Sequence, residues 1–232
     1  MLIKELIQRV QSLYSKGVHS EDTRLSNRHI YNKLVSSRIL LIQRKFTNGQ
    51  NVSQWIYQDL PCVEMIKAPL IECPCVPKNG CYILKSKLKL PKPIVGLERV
   101  VIDSVTTLDG TIRLDQTTFG TVKNELESKY SGKRLKWYIR NEHLYITSNN
   151  YPELITVRGI FQDPLAYSKF TACGCDTPES DDCESFLDKE FMIDGDLIDV
   201  LIELASKELL EEFGKNREDY TNNARDKNEE KL

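Results

Sequence analysis

Leu2, Ile3, Leu6, Ile7, Val10, Leu13 and Tyr14 recur at intervals of three and four, which predicts a helix with one buried face, stopped at Gly17. A second helix is predicted from Ser26, a hydroxyl suited to capping, with Leu25 before it and Ile30 four residues after it at the spacing of a hydrophobic staple. Ile30, Leu34, Val35, Ile39 and Ile42 carry its apolar face to about Phe46, where TNGQN turns the chain. Ser53 is then placed to cap a short helix containing Trp55, Ile56 and Leu60, ending before Pro61, because proline disfavours a helical residue ahead of it.

Beyond Pro61 the period changes from helical to alternating. In CYILKSKLKL, Ile83, Lys85, Lys87 and Lys89 fall on one side and Leu84, Leu88 and Leu90 on the other, so a strand with a lysine-rich outer face is expected. LERVVIDSVTTL, closed by Asp109-Gly110, and ELITVRGIFQD read as further strands, and KWYIRNEHLYITS reads as a hairpin turning at Asn141-Glu142. Strands this close together argue for an antiparallel sheet or small barrel. Residues 163 to 190 hold prolines and the acids Asp176, Glu179, Asp181, Asp182, Glu184 and Asp188, an acidic loop. FMIDGDLIDVLIELASKELLEEF follows as the strongest helix, with Asp194 as expected cap, Asp196 near the positive dipole end and Gly214 after the last turn. Leu197, Ile198, Leu201, Ile202, Leu204, Ala205, Leu209 and Leu210 cover more than one stripe of it, so it wants neighbours on two sides.

The expected fold class is therefore α+β: a helical bundle formed by the N-terminal helices and a long C-terminal helix, with an inserted antiparallel β-domain. The expected divisions are residues 1–62 for the N-terminal helical part, 63–165 for the β-insertion, 166–190 for the acidic, cysteine-containing loop, 191–213 for the C-terminal bundle helix and 214–232 for a charged tail. That tail balances five basic against five acidic side chains with little to bury, and is expected to order only on a partner.

Composition narrows the function. The net charge of −2 supplies no global basic field for nucleic acid or membrane. Lys4, Glu5 and Arg9 break any signal-like apolar run at the start, and no uncharged stretch is long enough to span a bilayer, so a soluble, intracellularly made protein is expected. Glycine and histidine are scarce, at eleven and three, with no phosphate-cradling loop and no histidine pair at metal-ligand spacing. His19 with Asp22, and His143 with Glu142, have no nucleophile placed beside them by sequence and read as surface or helix-end residues. No enzyme and no cofactor are expected.

Six of the seven cysteines lie in two clusters, Cys73, Cys75 and Cys81 in ECPCVPKNGC, and Cys173, Cys175 and Cys183 in CGCDTPESDDC. An odd total in a reducing compartment leaves disulfides as the least supported reading. Tetrahedral zinc could draw four thiolates from these six, but C-x-C replaces the usual C-x-x-C knuckle, so a structural zinc stands beside the ordinary reading of packed or loop thiols. The acidic loop lacks the ligand spacing and central glycine of a calcium loop, and a metal-dependent hydrolase built on it has no ligand set. A zinc-stabilised nucleic-acid-binding module is the alternative function, with Lys85, Lys87, Lys89 and Arg134 on phosphates and Trp137 and Tyr138 stacking on bases.

The phrases EDTRLSNRHIYNKLVSSRILLIQRK, WIYQDLPCVEM, ILKSKLKLPKPI, NEHLYI, GIFQDP and FMIDGDLIDVLIELASKELL, in this order over most of residues 20 to 212, resemble ring proteins of the head-to-tail connector in crAss-like bacteriophages. More distantly, the architecture is similar to the adaptor beneath the portal of other tailed phages. The resemblance implies a virion protein at the head-tail junction, made in the host cytoplasm and assembled as a homo-oligomeric ring, commonly of twelve copies. Such a ring contacts the portal protein and the next tail or ring protein, and DNA passes through it without sequence-specific binding. In that family the bundle builds the ring, the β-domain faces outward or toward the next ring, and the C-terminal segment reaches onto the portal. Phe213 and Tyr220 are the residues expected to anchor that segment on a neighbour.

Overall fold

The computed structural model describes residues 1–15, 25–69, 83–96, 100–122, 134–147, 152–170 and 185–213. The chain divides into two compact units, one of Met1–Val52 with Asp182–Leu232 and one of Ser53–Asp181. Among the described residues, the three long helices belong to the first and the strands to the second, and the fold class is α+β.

In the helical unit, α1 spans Ile3–Tyr14 and buries Ile3, Leu6, Ile7 and Val10, as the three-and-four spacing requires. Leu13, at the far end of the same stripe, is 54% exposed. α2 spans Asn27–Thr47. Its cap is the expected one: the Ser26 hydroxyl accepts from the His29 amide at 3.2 Å, and Leu25 and Ile30 are both buried. Gly49, at φ +66°, takes the left-handed conformation that ends the helix. α3 spans Ile198–Phe213, entered through a single 3-10 turn at Gly195–Leu197. It contacts both α1 and α2, so its broad apolar face has the two neighbours that the pattern called for. The segment leading to it pairs with the N-terminus, through Ile3 N to Lys189 O at 3.0 Å and Phe191 N to Met1 O at 2.9 Å.

One expectation for this unit fails, and one residue outside the expected apolar face of α2 joins its buried side. Asp194 makes no side-chain capping bond, because its carboxylate is taken by Lys45 at 3.0 Å. Arg38, absent from the expected apolar face of α2, is completely buried, and its Nε donates to the Met192 carbonyl at 2.6 Å. At that nitrogen, backbone oxygen replaces water as acceptor.

The described residues of the second unit form seven strands: β1 Gln58–Lys67, β2 Leu84–Ser86, β3 Ile102–Thr107, β4 Asp115–Gln116, β5 Lys136–Arg140, β6 His143–Ile146 and β7 Leu154–Gly159. Their order is β3-β7-β1-β2-β6-β5-β4. The two end strands meet, since Leu114 N donates to Val105 O at 2.8 Å and Thr106 bridges Arg113, so the sheet curls nearly closed. β1 is the hinge of this curl, giving its first part to β7 and its last part to β2. The sheet is mixed where an antiparallel one was expected, because β4 pairs with β5 in parallel. A two-residue strand returning through a long connection has no alternating run by which sequence could orient it.

The short helix expected to reach Leu60 is only Gln54–Ile56, capped by Ser53 as expected, and Trp55 points outward at 87% exposure. Leu60 and Pro61 already lie in β1. Pro61 is accommodated because the β1–β7 register shifts between Leu60 and Val63, so no ladder donor is needed there. Cys62, beside this irregularity, is disulfide-bonded, which corrects the reading of free thiols. Sulfur proximity in space decides such a bond, and spacing along the chain does not reveal it. All six other cysteines lie outside the described residues.

The hairpin at Asn141-Glu142 forms as read. Both residues have positive φ, +52° and +65°, the backbone of a type I′ turn, and Trp137, Tyr138, Ile139 and Arg140 pair with Ile146, Tyr145, Leu144 and His143. The lysine strand is shorter than expected and ends at Ser86, whose hydroxyl donates to the Leu88 carbonyl at 2.8 Å. That turn leaves Leu88 52% exposed, while Ile83, assigned to the outer face, is buried with Ala68, Val122, Tyr138 and Tyr145. Around Tyr138 and Tyr145 the sheet is thus covered on both faces. The larger core holds Leu60, Val63, Val105, Trp137, Ile155 and Phe161 on the other face.

Candidate assembly surfaces

On the β unit, the basic groups proposed for phosphates are already engaged. Lys87 bonds Glu64 at 2.7 Å, Lys89 bonds Glu142 at 3.0 Å, and Arg134 lies 3.7 Å from Asp115. Lys85 sits over the Tyr145 ring, 5.8 Å from its centroid. The Lys89 hydrogen bond, helped by Lys92, holds the Glu142 carboxyl below the ordinary carboxylate value. Trp137 and Tyr138 are 3% and 1% exposed, so neither offers a ring face to a base. The Trp137 indole instead donates to the Leu114 carbonyl at 3.2 Å, and Tyr138 stacks on Tyr145 at 5.1 Å. His143 lies within bonding distance of the Ser86 carbonyl and hydroxyl at 2.9 and 3.3 Å, which gives it a place in β-strand pairing. His19 and Asp22 lie outside the described residues.

The helical unit carries its charge by element. α2, NRHIYNKLVSSRILLIQRKFT, contains five lysines and arginines and no acid. α3, IDVLIELASKELLEEF, contains five acids and one lysine. One tie joins them within the chain, and a second joins α2 to the turn that enters α3. Near the start of α2, Lys33 reaches Glu212 at 2.9 Å and Glu208 at 3.8 Å, with His29 3.7 Å from Glu212 and stacked edge-on against Phe213 at 5.4 Å. Near its end, Lys45 reaches Asp194 at 3.0 Å and Asp196 at 2.8 Å. The hydrogen bond from Lys33 lowers the Glu212 carboxyl. Burial opposes the charge on Lys45, but its bonds to Asp196 and Asp194 outweigh that and raise it above its ordinary value.

Of the residues expected to anchor a neighbour, Phe213 is 41% exposed at the end of α3, and Tyr220 lies outside the described residues. Cys73, Cys75, Cys81, Cys173, Cys175 and Cys183 also lie outside them. Among the described residues no group of three or more histidine, cysteine, aspartate or glutamate side chains is arranged to hold a metal. No described helix is long and apolar enough to cross a membrane. The segregation of charge between α2 and α3 was open to sequence reading, since their compositions alone reveal it.

The helical unit is thus sorted into a basic and an acidic helix, and in the sheet unit Lys87 and Lys89 are paired with carboxylates. The family model described as phage tail ring protein 2 matches residues 5–230, and the chain belongs to that family. The resemblance to crAss-like ring proteins is thereby borne out, and with it a structural role in the phage tail and a place in the virion. No curated protein matches the chain.

Proposed function

We propose that this protein forms a homo-oligomeric ring, of twelve copies, between the portal and the tail, extending the channel through which DNA leaves the head and giving later tail proteins their platform. The observation that carries the reading is the extent of the family match, which runs through both units from residue 5 to residue 230. α1, α2 and α3 act as the ring-building bundle, and the sheet unit is an insertion in it that faces outward or toward the next ring. Residues 214–232, carrying Tyr220, reach onto the portal with Phe213 at their root. DNA passes through without sequence-specific contacts, which agrees with the engagement of Lys87, Lys89 and Arg134 by carboxylates.

The test is binding to the portal protein of the same genome by the full chain and by a chain ending at Phe213. The shortened chain keeps its helical and sheet folds and binds more weakly. Equal binding by both would remove the tail from the portal contact, and no binding by either would remove the portal as partner.

A further inference from the structure

Gly110, at φ +71°, turns the chain between β3 and β4, and its amide donates to the Thr107 carbonyl at 2.8 Å. The Asp109 carboxylate accepts from the Thr107 hydroxyl, from the Thr111 amide at 3.2 Å and from the Thr111 hydroxyl at 2.7 Å. The Thr107 hydroxyl in turn accepts from the Ile112 amide at 3.2 Å. The bond from Thr107, followed by those from Thr111, holds the Asp109 carboxyl below its ordinary value. The polar side chains of this tip are thus turned onto the tip itself, and what it offers outward is Leu108, 49% exposed, and Ile112, 41% exposed. An apolar knob already fixed in shape loses little entropy on docking.

The same two segments carry a socket at their other end. A cavity of about 410 Å³ lies between Val100, just ahead of β3, residues 116–119 at the end of β4, and residues 137–139 of β5. Its volume is that of a built binding pocket. Phe119, 41% exposed, forms one wall under the Arg140 guanidinium, which stands 4.3 Å from the ring centroid. The hydroxyls of Thr117 and Thr118 bond that of Thr121 at 3.1 and 2.8 Å, so these threonines meet an apolar guest without an orphaned hydroxyl.

β3 separates knob from socket. It runs against the returning segment, with Thr107 N bonded to Ile112 O and Leu114 N to Val105 O, so Leu108 and Ile112 lie past one end and Val100 and Phe119 past the other. Six residues of strand at about 3.3 Å each set them about 20 Å apart. A knob at one end and a socket at the other is the arrangement of a heterologous contact, through which copies join in series and close a ring when the rotation between them closes. Trp55, 87% exposed, does not serve as such a knob: it precedes β1 at the end where Gln58 and Ile102 both face Gly159, which is the socket's own end.

We propose that the sheet units of successive copies join through this pair, the Leu108 and Ile112 tip of one copy seated in the Phe119 socket of the next. The inference rests on the ring reading above and adds a contact between sheet units to those of the bundle.

The knob variant carries Leu108→Ser with Ile112→Ser, the socket variant Thr118→Asp, and a third chain carries all three changes. All three sites are exposed, and tryptophan fluorescence in urea verifies the sheet fold. Sedimentation velocity over a concentration series, with the portal protein added where the wild type needs it, gives each chain's assembly midpoint. Knob and socket variants should each raise that midpoint about tenfold, since each keeps the apolar tip from leaving water. The third chain should assemble no worse than the poorer of the two, because both sets of changes remove one and the same contact. A wild-type midpoint for either variant, or a third chain whose shift is the product of the other two, would overturn the contact and leave the ring reading standing. So would a knob variant that keeps the wild-type midpoint but binds the portal protein more weakly, which would give the tip to the portal. A wild type that stays monomeric both alone and with the portal protein would overturn the contact and the ring together.

Discussion

Replacing Asp194 by Asn separates two accounts of the entry to α3. If Asp194 capped the helix, Asn would serve almost equally well and the cost would be a few tenths of a kcal/mol. Its carboxylate instead holds the Lys45 ammonium at 3.0 Å, with the two side chains only 5% and 13% exposed. A charge-assisted bond in such a setting is worth about 2 kcal/mol. The loss stays below the larger cost of a fully orphaned buried charge, because Lys45 retains Asp196 at 2.8 Å. That second contact is worth about 0.5 kcal/mol, since Asp196 is 65% exposed and water screens it.

A double-mutant cycle with Lys45→Met, Asp194→Asn and Asp196→Asn in urea should therefore give a coupling of about 2 kcal/mol for the buried pair and about 0.5 for the exposed one. Far-UV ellipticity is the proper readout. Both tryptophans, Trp55 and Trp137, lie in the Ser53–Asp181 unit, so fluorescence would follow the sheet instead. Raising salt should shrink the Asp196 coupling and spare that of Asp194. Because the Lys45 value is raised, its contribution is complete below its ordinary value of 10.5 and fades as pH rises through the folded one. A neutral Asp194→Asn variant, or couplings in the reverse order, would refute the ion-pair account.

Leu201, fully buried on α3, should cost about 3 kcal/mol as Leu201→Ala, and Leu201→Asp should abolish the helical unit; a folded Leu201→Asp chain by ellipticity would contradict its placement. Asn141→Ala should lower the stability of the sheet unit by about 1 kcal/mol in urea monitored by fluorescence, because alanine resists the φ of +52° that the turn requires. An unchanged midpoint would argue against the type I′ turn. Glu212, held low by Lys33, contributes stability above its ordinary value of 4.5, and that contribution is lost as pH falls through the lowered folded value. Lys33→Met should flatten this acid limb of the stability curve, and an identical acid limb would show that the pair does not form.

Elements that carry their own local signal were legible in the sequence. The Ser26 cap, the stripe of α1 and the Asn141-Glu142 turn each rest on contacts within a few residues, and the structure has all three. What failed depended on a distant partner. Leu60 and Pro61 read as a helix end because their strand neighbour is β7, almost a hundred residues away, and the register shift that admits Pro61 exists only in that pairing. Asp194 read as a cap because Lys45 cannot be placed beside it from spacing. Arg38 broke the apolar rhythm of α2, and only the position of the Met192 carbonyl explains its burial. On the assembly surfaces, the lysine strand suggested phosphates until Glu64 and Glu142 were found across from it. The charge segregation of α2 and α3 needed only a count.

The central claim is that this chain is the subunit of a ring in the phage tail. Native mass spectra of the purified chain, alone and mixed with the portal protein from the same genome, test it most directly. The account predicts a closed homo-oligomer of uniform copy number, formed alone or on the portal. A chain that remains monomeric in both samples would contradict it.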